Sequence, residues 1–259
     1  MSTEYPTKLH EEGSEKVVDY FTKIQEVEAV ILYGSCARGR ASKDSCLDFL
    51  IMVPKEVLSS HKQDLENGWR AFYESEEIFR RLLQVGEYSH VDLEFIDGVF
   101  RPQPHYWTGG PDNFELEIGN TLVYSEALWE GNDRFQRLKE EWLPYYDESL
   151  RKERLAGVKK FFLNNLDHIP LFVDRGLQFQ AFNRLYDAFR EFLQALFISK
   201  KVYPIAYDKW IREQIVDILE LPELYEQLPE LLEIKKFESE DIVQKAKQLE
   251  HLFNEYVSR

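Results

Sequence analysis

The feature that most narrows the folds open to this chain is an apolar run, Ala29 to Tyr33, that stops abruptly at Gly34. An unbroken short run of this kind reads as a strand buried on both faces, and the glycine behind it reads as a tight turn. A second run, Cys46 to Val53, places Leu47, Phe49, Ile51 and Val53 on one face and Cys46, Asp48, Leu50 and Met52 on the other, with Pro54 closing it. Upstream, Val17, Phe21 and Ile24 repeat at helical spacing. Downstream, Trp69, Phe72, Phe79 and Leu83 fall on one helical face between Asp64 and Val85, and His90 to Ile96 alternates as a third strand before Asp97-Gly98. The order helix, strand, strand, helix, strand predicts an α+β domain, a mixed sheet with flanking helices.

Beyond that core, Arg101 to Asn113 is rich in proline, glycine and aromatics and reads as a loop. A strand pair is expected around Phe114–Ile118 and Thr121–Tyr124, then a helix from Asp133 to Trp142. From about Glu148 the pattern turns almost wholly helical. Phe182, Tyr186, Phe189, Leu193 and Phe197 line one side of Leu177–Ser199, and Asp241–Tyr256 is amphipathic with an acidic outer face. A chain of 259 residues can bury two cores. The expected division is therefore an α+β domain over 1–146 and an all-α bundle over 147–259.

Composition removes several function classes. No apolar run approaches the ~20 residues that cross a bilayer, and Met1 to Gly13 has no signal-peptide core, so a cytoplasmic protein with no membrane partner is expected. A net charge of −15 without a basic stripe argues against long nucleic acid as a partner and is compatible with a cationic small molecule. Cys36 and Cys46, the only cysteines, form neither a disulfide framework nor a zinc-ribbon spacing. Gly34 to Gly39 has the glycine spacing of a P-loop, but Arg40-Ala41 stands where lysine and a hydroxyl residue must follow. The scattered histidines read as structural or exposed.

What remains is the stretch Leu32-Tyr33-Gly34-Ser35-Cys36-Ala37-Arg38-Gly39, then Lys43-Asp44-Ser45-Cys46-Leu47-Asp48-Phe49. Glycine and serine at a strand end bring backbone N–H groups and a hydroxyl up to a phosphate, and a helix starting at Ser35 adds favourable potential. Arg38 offers a charge-assisted contact and Ser45 a further hydroxyl. Asp48 supplies a carboxylate to its strand face. A neighbouring strand lies ~4.8 Å away, so Asp92 or Glu94 can bring another to the same cluster, where carboxylates suit phosphoryl chemistry, as metal ligands or as the base for an incoming hydroxyl.

These residues resemble the nucleotidyltransferase superfamily, the fold shared by DNA polymerase beta and the aminoglycoside and lincosamide nucleotidyltransferases. Its signature runs Gly-Ser, a spacer, then Asp-x-Asp on the next strand, with a third carboxylate on a later one. The resemblance implies that Gly34 and Ser35 hold the triphosphate of ATP or another nucleoside triphosphate. It implies that Asp48 is the second metal aspartate, that Asp92, or alternatively Glu94, is the third carboxylate and base, and that Mg²⁺ is the cofactor. In such relatives a lysine from the helical part reaches the triphosphate, the place Lys209 would take. The implied reaction moves a nucleoside monophosphate, AMP from ATP, onto a hydroxyl of a small acceptor such as an aminoglycoside-like antibiotic.

One position departs from the signature: the first aspartate is Cys46. Mg²⁺ prefers hard oxygen donors, so a thiol there points to impaired two-metal binding, to Mn²⁺ or a softer ion, or to a nucleotide-binding sensor or antitoxin-like partner that has lost transfer. Asp44 does not substitute for it by alternation. Two further features bear on the acceptor. Tyr106-Trp107-Thr108-Gly109-Gly110 can stack on a ring or pack onto its own domain. Asn183, Asp187, Arg190 and Gln194 form a polar stripe that either holds the acceptor or simply faces solvent.

Overall fold

The computed structural model describes residues 3–107 and 109–257 and divides the chain into two compact units. The first comprises residues up to Phe100 together with Ile118–Trp142, and the second Arg101–Glu117 together with the chain from Leu143 onward. The long loop after the third strand thus clusters with the helical unit, whereas a single cut after residue 146 assigns it to the first. Among the described residues no helix is long and apolar enough to cross a membrane.

The first unit holds helix α1 (Lys8–Phe21), strand β1 (Ala29–Tyr33), the one-turn helix α2 (Gly34–Ala37), β2 (Leu47–Met52), helices α3 (Lys55–Ser75) and α4 (Glu77–Leu82), and β3 (Val91–Ile96). Four strands form one sheet in the order β3-β2-β1-β4, the last being Glu126–Glu130. β1 runs antiparallel to β2 and β4, whereas β2 and β3 are parallel. Parallel neighbours need a crossover, which α3 and α4 supply. One face of the sheet, through Val30, Leu32, Phe49, Ile51 and Phe95, packs with Val17 and Phe21 of α1 and Phe79 and Leu82 of α4. Each such fully buried side chain contributes about 1.5–3 kcal/mol, which is what locks the register that positions the opposite face.

The single helix expected over Asp64–Val85 is two. Glu76 takes extended backbone (φ −85°, ψ 127°), which re-aims the chain so that Phe79 and Leu82 are buried while Leu83 stays 52% exposed. The strand pair expected at 114–124 is instead helix α5 (Phe114–Ile118) continuing as a π-helical turn, Gly119–Val123. Alternation in Phe-Glu-Leu-Glu-Ile mimics a strand, but Phe114, Ile118 and Leu122 recur every fourth residue and all three are buried. Asp112 Oδ1 accepts from the Phe114 N–H, as an N-terminal cap does. The strand in this region lies later, at β4, and α6 (Arg134–Trp142) follows it.

The second unit is built on α7 (Glu148–Asp174) and α8 (Gln178–Lys200), followed by a π-helical turn (Glu213–Ile218), α9 (Pro222–Leu232) and α10 (Asp241–Tyr256). Its core joins Phe162, Ile169, Leu185, Phe192 and Leu196 to Leu249 and Phe253. Inside it lies a polar network. Arg154 makes bonds of 2.6–2.9 Å to Asp112 and Glu115, and Gln194 Nε2 donates to both carboxylates. Asp187 and Gln194 are buried and Arg190 partly so, which overturns a solvent-facing reading of the α8 polar stripe; Asn183 alone of the four is exposed.

Candidate functional site

The apolar run of β1 delivers Gly34 to one end of the sheet with φ +72°, a conformation that L side chains rarely adopt. A Cβ on Gly34 would lie 2.1 Å from Asp48 Oδ2 and 3.0 Å from its Cγ. The turn therefore sits directly on the Asp48 carboxylate, and only glycine allows the approach. Ser35 follows, partly exposed, in a helix of a single turn whose first N–H groups have no partner within the helix itself. The Ser35 carbonyl accepts from the Arg40 N–H at 2.9 Å, which closes the turn.

Register builds the rest. Tyr33 pairs with Asp48 across the antiparallel β1–β2 ladder, and Asp48 pairs with Asp92 across the parallel β2–β3 ladder, so three strands present one row on one face. Glu94 pairs with Leu50, one pleat further along that face. Asp92 and Glu94 are exposed, while Cys46 and Asp48 are half-buried. Cys46 lies just before β2, and its Sγ–H donates to Asp48 Oδ1 at 3.0 Å. One ligand atom each from Cys46, Asp48 and Asp92 lie within 4.8 Å of one another.

The electrostatics follow from this crowding. Burial first, then the hydrogen bond to Asp48 and the charges of Asp48 and Asp92, push the Cys46 thiol up to about 12. Burial and then the Asp48 charge push the Cys36 thiol up to about 12 as well. Tyr33 is raised by burial and by the charges of Asp48, Glu94 and Asp92. Both cysteines are free thiols, and Cys36 Sγ donates to the Cys46 carbonyl at 3.6 Å.

The other residues singled out from sequence fall in different surroundings. Arg38 is 6% exposed and ends the short helix. Ser45 Oγ accepts from the Ser42 N–H at 2.9 Å, and the Ser45 carbonyl lies 3.0 Å from His10 Nε2, so its hydrogen bonds hold the Ser42–Ser45 turn. Asp44 Oδ1 accepts from the Glu87 N–H and would meet a Cβ on Gly86 at 2.5 Å, which holds it against that loop. Lys209 is exposed in the second unit, its carbonyl bonded to Gln214. Tyr106 and Trp107 are exposed, also in the second unit, where the Trp107 carbonyl accepts from Arg184; Thr108 lies outside the described residues.

Two residues of the site were not among the sequence candidates. His90 Nε2 lies 3.1 Å from Asp92 Oδ2. The available signal was the spacing His90-x-Asp92 on a strand, which puts both side chains on one face. Tyr33, the last residue of the apolar run, reads as core, yet its register with Asp48 sets its hydroxyl among the carboxylates. Chemically, the arrangement joins a glycine turn suited to an anion with carboxylates suited to a cation or a proton.

Residues 15–102 match the sequence profile of the family described as Polymerase beta, Nucleotidyltransferase. Among solved structures, a nucleotidyltransferase-like protein from Exiguobacterium sibiricum is similar at 14% identity and a TM-score of 0.46, over 95% of this chain and 74% of that one. No curated protein matches the chain. The profile match spans Gly34, Ser35, Cys46, Asp48, Asp92 and Glu94, all in the first unit, which over these residues is similar to a polymerase beta-type nucleotidyltransferase domain. Such a domain implies paired Mg²⁺ ions on an Asp-x-Asp pair. The donor set here does not fit that arrangement, because Mg²⁺ demands oxygen in near-octahedral geometry and sulfur stands at position 46.

Proposed function

We propose that the first unit binds a nucleoside triphosphate, ATP, on the Gly34–Ser35 turn and transfers its nucleoside monophosphate to a hydroxyl of a small acceptor. The observation that supports the reading best is the close approach of the Gly34 backbone to the Asp48 carboxylate, which puts the glycine turn beside the acidic row. Backbone N–H groups and the Ser35 hydroxyl orient the phosphates, which favours in-line attack. The acceptor oxygen forms a bond to the α-phosphorus, the bond to the bridging oxygen breaks, and the electron pair leaves with pyrophosphate. The acceptor proton passes to Asp92 or Glu94, the exposed carboxylates of the row. The net charge of −15 and the resemblance to antibiotic nucleotidyltransferases support a cationic, aminoglycoside-like acceptor.

Transfer of labelled AMP to a panel of aminoglycosides, with pyrophosphate release, is the direct test. Asp48→Asn should remove the activity, and unchanged turnover in that variant contradicts the assignment. Cys46 favours a second reading, a nucleotide-binding sensor or antitoxin-like partner without transfer. ATP binding in calorimetry without pyrophosphate release in Mg²⁺, Mn²⁺ or Zn²⁺ decides for it.

A further inference from the structure

Cys46, Asp48 and Asp92 offer one sulfur and two carboxylate donors, and this mixture has a metal preference of its own. Thiolate ligands select Zn²⁺ over Mg²⁺, while carboxylates are shared by both. Three protein ligands with a fourth position open is the pattern of reactive zinc sites, whereas closed sites use four. Bonds of about 2.3 Å to sulfur and 2.0–2.2 Å to oxygen would set tetrahedral donors roughly 3.3–3.7 Å apart. The present donors lie within 4.8 Å of one another, about 1 Å beyond that spacing at most, and Cys46 Sγ is already 3.0 Å from Asp48 Oδ1.

The geometry points to a single Zn²⁺-class ion held by Cys46 Sγ, Asp48 and Asp92, with His90 as the outer partner that orients Asp92. This rests on the nucleotide-transfer reading and deepens it by naming the ion and changing the number of ions from two to one. On binding, a sulfur–metal bond replaces the Cys46 Sγ–H bond and the proton leaves to solvent. His90 Nε2, 3.1 Å from Asp92 Oδ2, is a positioning residue, since carboxylates that ligate a metal are themselves held by hydrogen bonds from outer groups. Glu94, one pleat along the same face, is left outside the ligand set to take the acceptor proton.

The test uses metal-free full-length protein titrated with Co²⁺, read by the sulfur-to-cobalt charge-transfer absorption and by displacement with Zn²⁺. The expected result is a saturable band that vanishes in Cys46→Ser, persists in Cys36→Ser, and is not displaced by millimolar Mg²⁺. His90→Ala should keep the band while weakening Co²⁺ binding about 10–100-fold, the usual effect of losing an outer partner. Circular dichroism of each variant separates lost binding from lost folding. A missing band in folded protein, a band retained in Cys46→Ser, or displacement by Mg²⁺ overturns the inference. A band without pyrophosphate release sustains the zinc site and removes the transfer reading. Mg²⁺-driven pyrophosphate release undiminished in Cys46→Ser does the reverse.

Discussion

Replacing Gly34 by alanine probes the contact on which the site depends. An L residue held at φ +72° costs about 1–2 kcal/mol, and the new Cβ would lie 2.1 Å from Asp48 Oδ2, so the carboxylate must move. Pushing Asp48 off its rotamer costs roughly 0.5–1.5 kcal/mol. Losing the bond that its Oδ1 accepts from Cys46 removes about 0.5–1.5 kcal/mol more. The total is about 2–5 kcal/mol, a large part of the 5–15 kcal/mol that stabilises an ordinary domain. Asp48→Ala deletes Oδ2 and Cγ, leaving only the Asp48 Cβ at 3.3 Å from the new methyl. In that background Gly34→Ala should cost little beyond the backbone term. The cycle therefore predicts a coupling of about 1–3 kcal/mol between the two positions, read from hydrogen exchange of peptides covering β1 and β2. Additivity within about 0.5 kcal/mol would refute the close approach and, with it, the common spot for cradle and carboxylates.

Three further outcomes follow from named contacts. Arg154→Met strands Asp112 and Glu115, both almost fully buried, and should destabilise the second unit by about 3–5 kcal/mol in denaturant unfolding; a loss below 1 kcal/mol contradicts the clamp. Glu148 is lowered from 4.5 to about 2 by its bonds to Arg151 and Lys201, so its small stabilisation is present above pH 4.5 and lost as pH falls toward 2. Glu148→Gln should flatten that part of the acid-unfolding profile, and an identical profile argues against the triad. Cys46→Asp gathers three carboxylates within the 4.8 Å now spanned by two and a thiol. Metal-free stability should fall by about 1–4 kcal/mol and recover in millimolar Mg²⁺, measured by thermal unfolding at low salt.

How much of this could be read from the sequence depended on whether a signal was local. Gly34 after β1, the alternation of β2 and the alternation of β3 were legible because period and turn chemistry are properties of a few adjacent residues. The pairing Asp48 with Asp92 was legible only as a choice between Asp92 and Glu94, since the register is fixed by the aromatic and aliphatic face packed on α1 and α4. β4 was missed because Glu-Ala-Leu-Trp-Glu is a short edge strand with partial burial, and α5 was misread because alternation and a four-residue repeat coexist in it. The buried stripe on α8 was ambiguous for a different reason. Asp187 and Gln194 look solvated until Gly110, Asp112 and Glu115 are brought against them from elsewhere in the unit.

The two halves of the site are held in place by different forces, and this explains how one could change while the other stayed. The cradle is imposed by backbone: a positive φ and the absence of a Cβ leave no substitute for glycine at 34. The acidic row is imposed by strand register, which carries Asp48 and Asp92 to the same face whatever residue precedes β2. Position 46 lies outside the ladder; its thiol donates a hydrogen bond to Asp48 and lies within 4.8 Å of an Asp92 carboxylate oxygen. A thiol there is neutral, donates where a carboxylate would repel, and so relieves charge that a metal would otherwise have to screen. The fold therefore accommodates cysteine at 46 without moving the Gly34 turn or the strand register, and the substitution acts on the donor set offered beside Asp48 and Asp92.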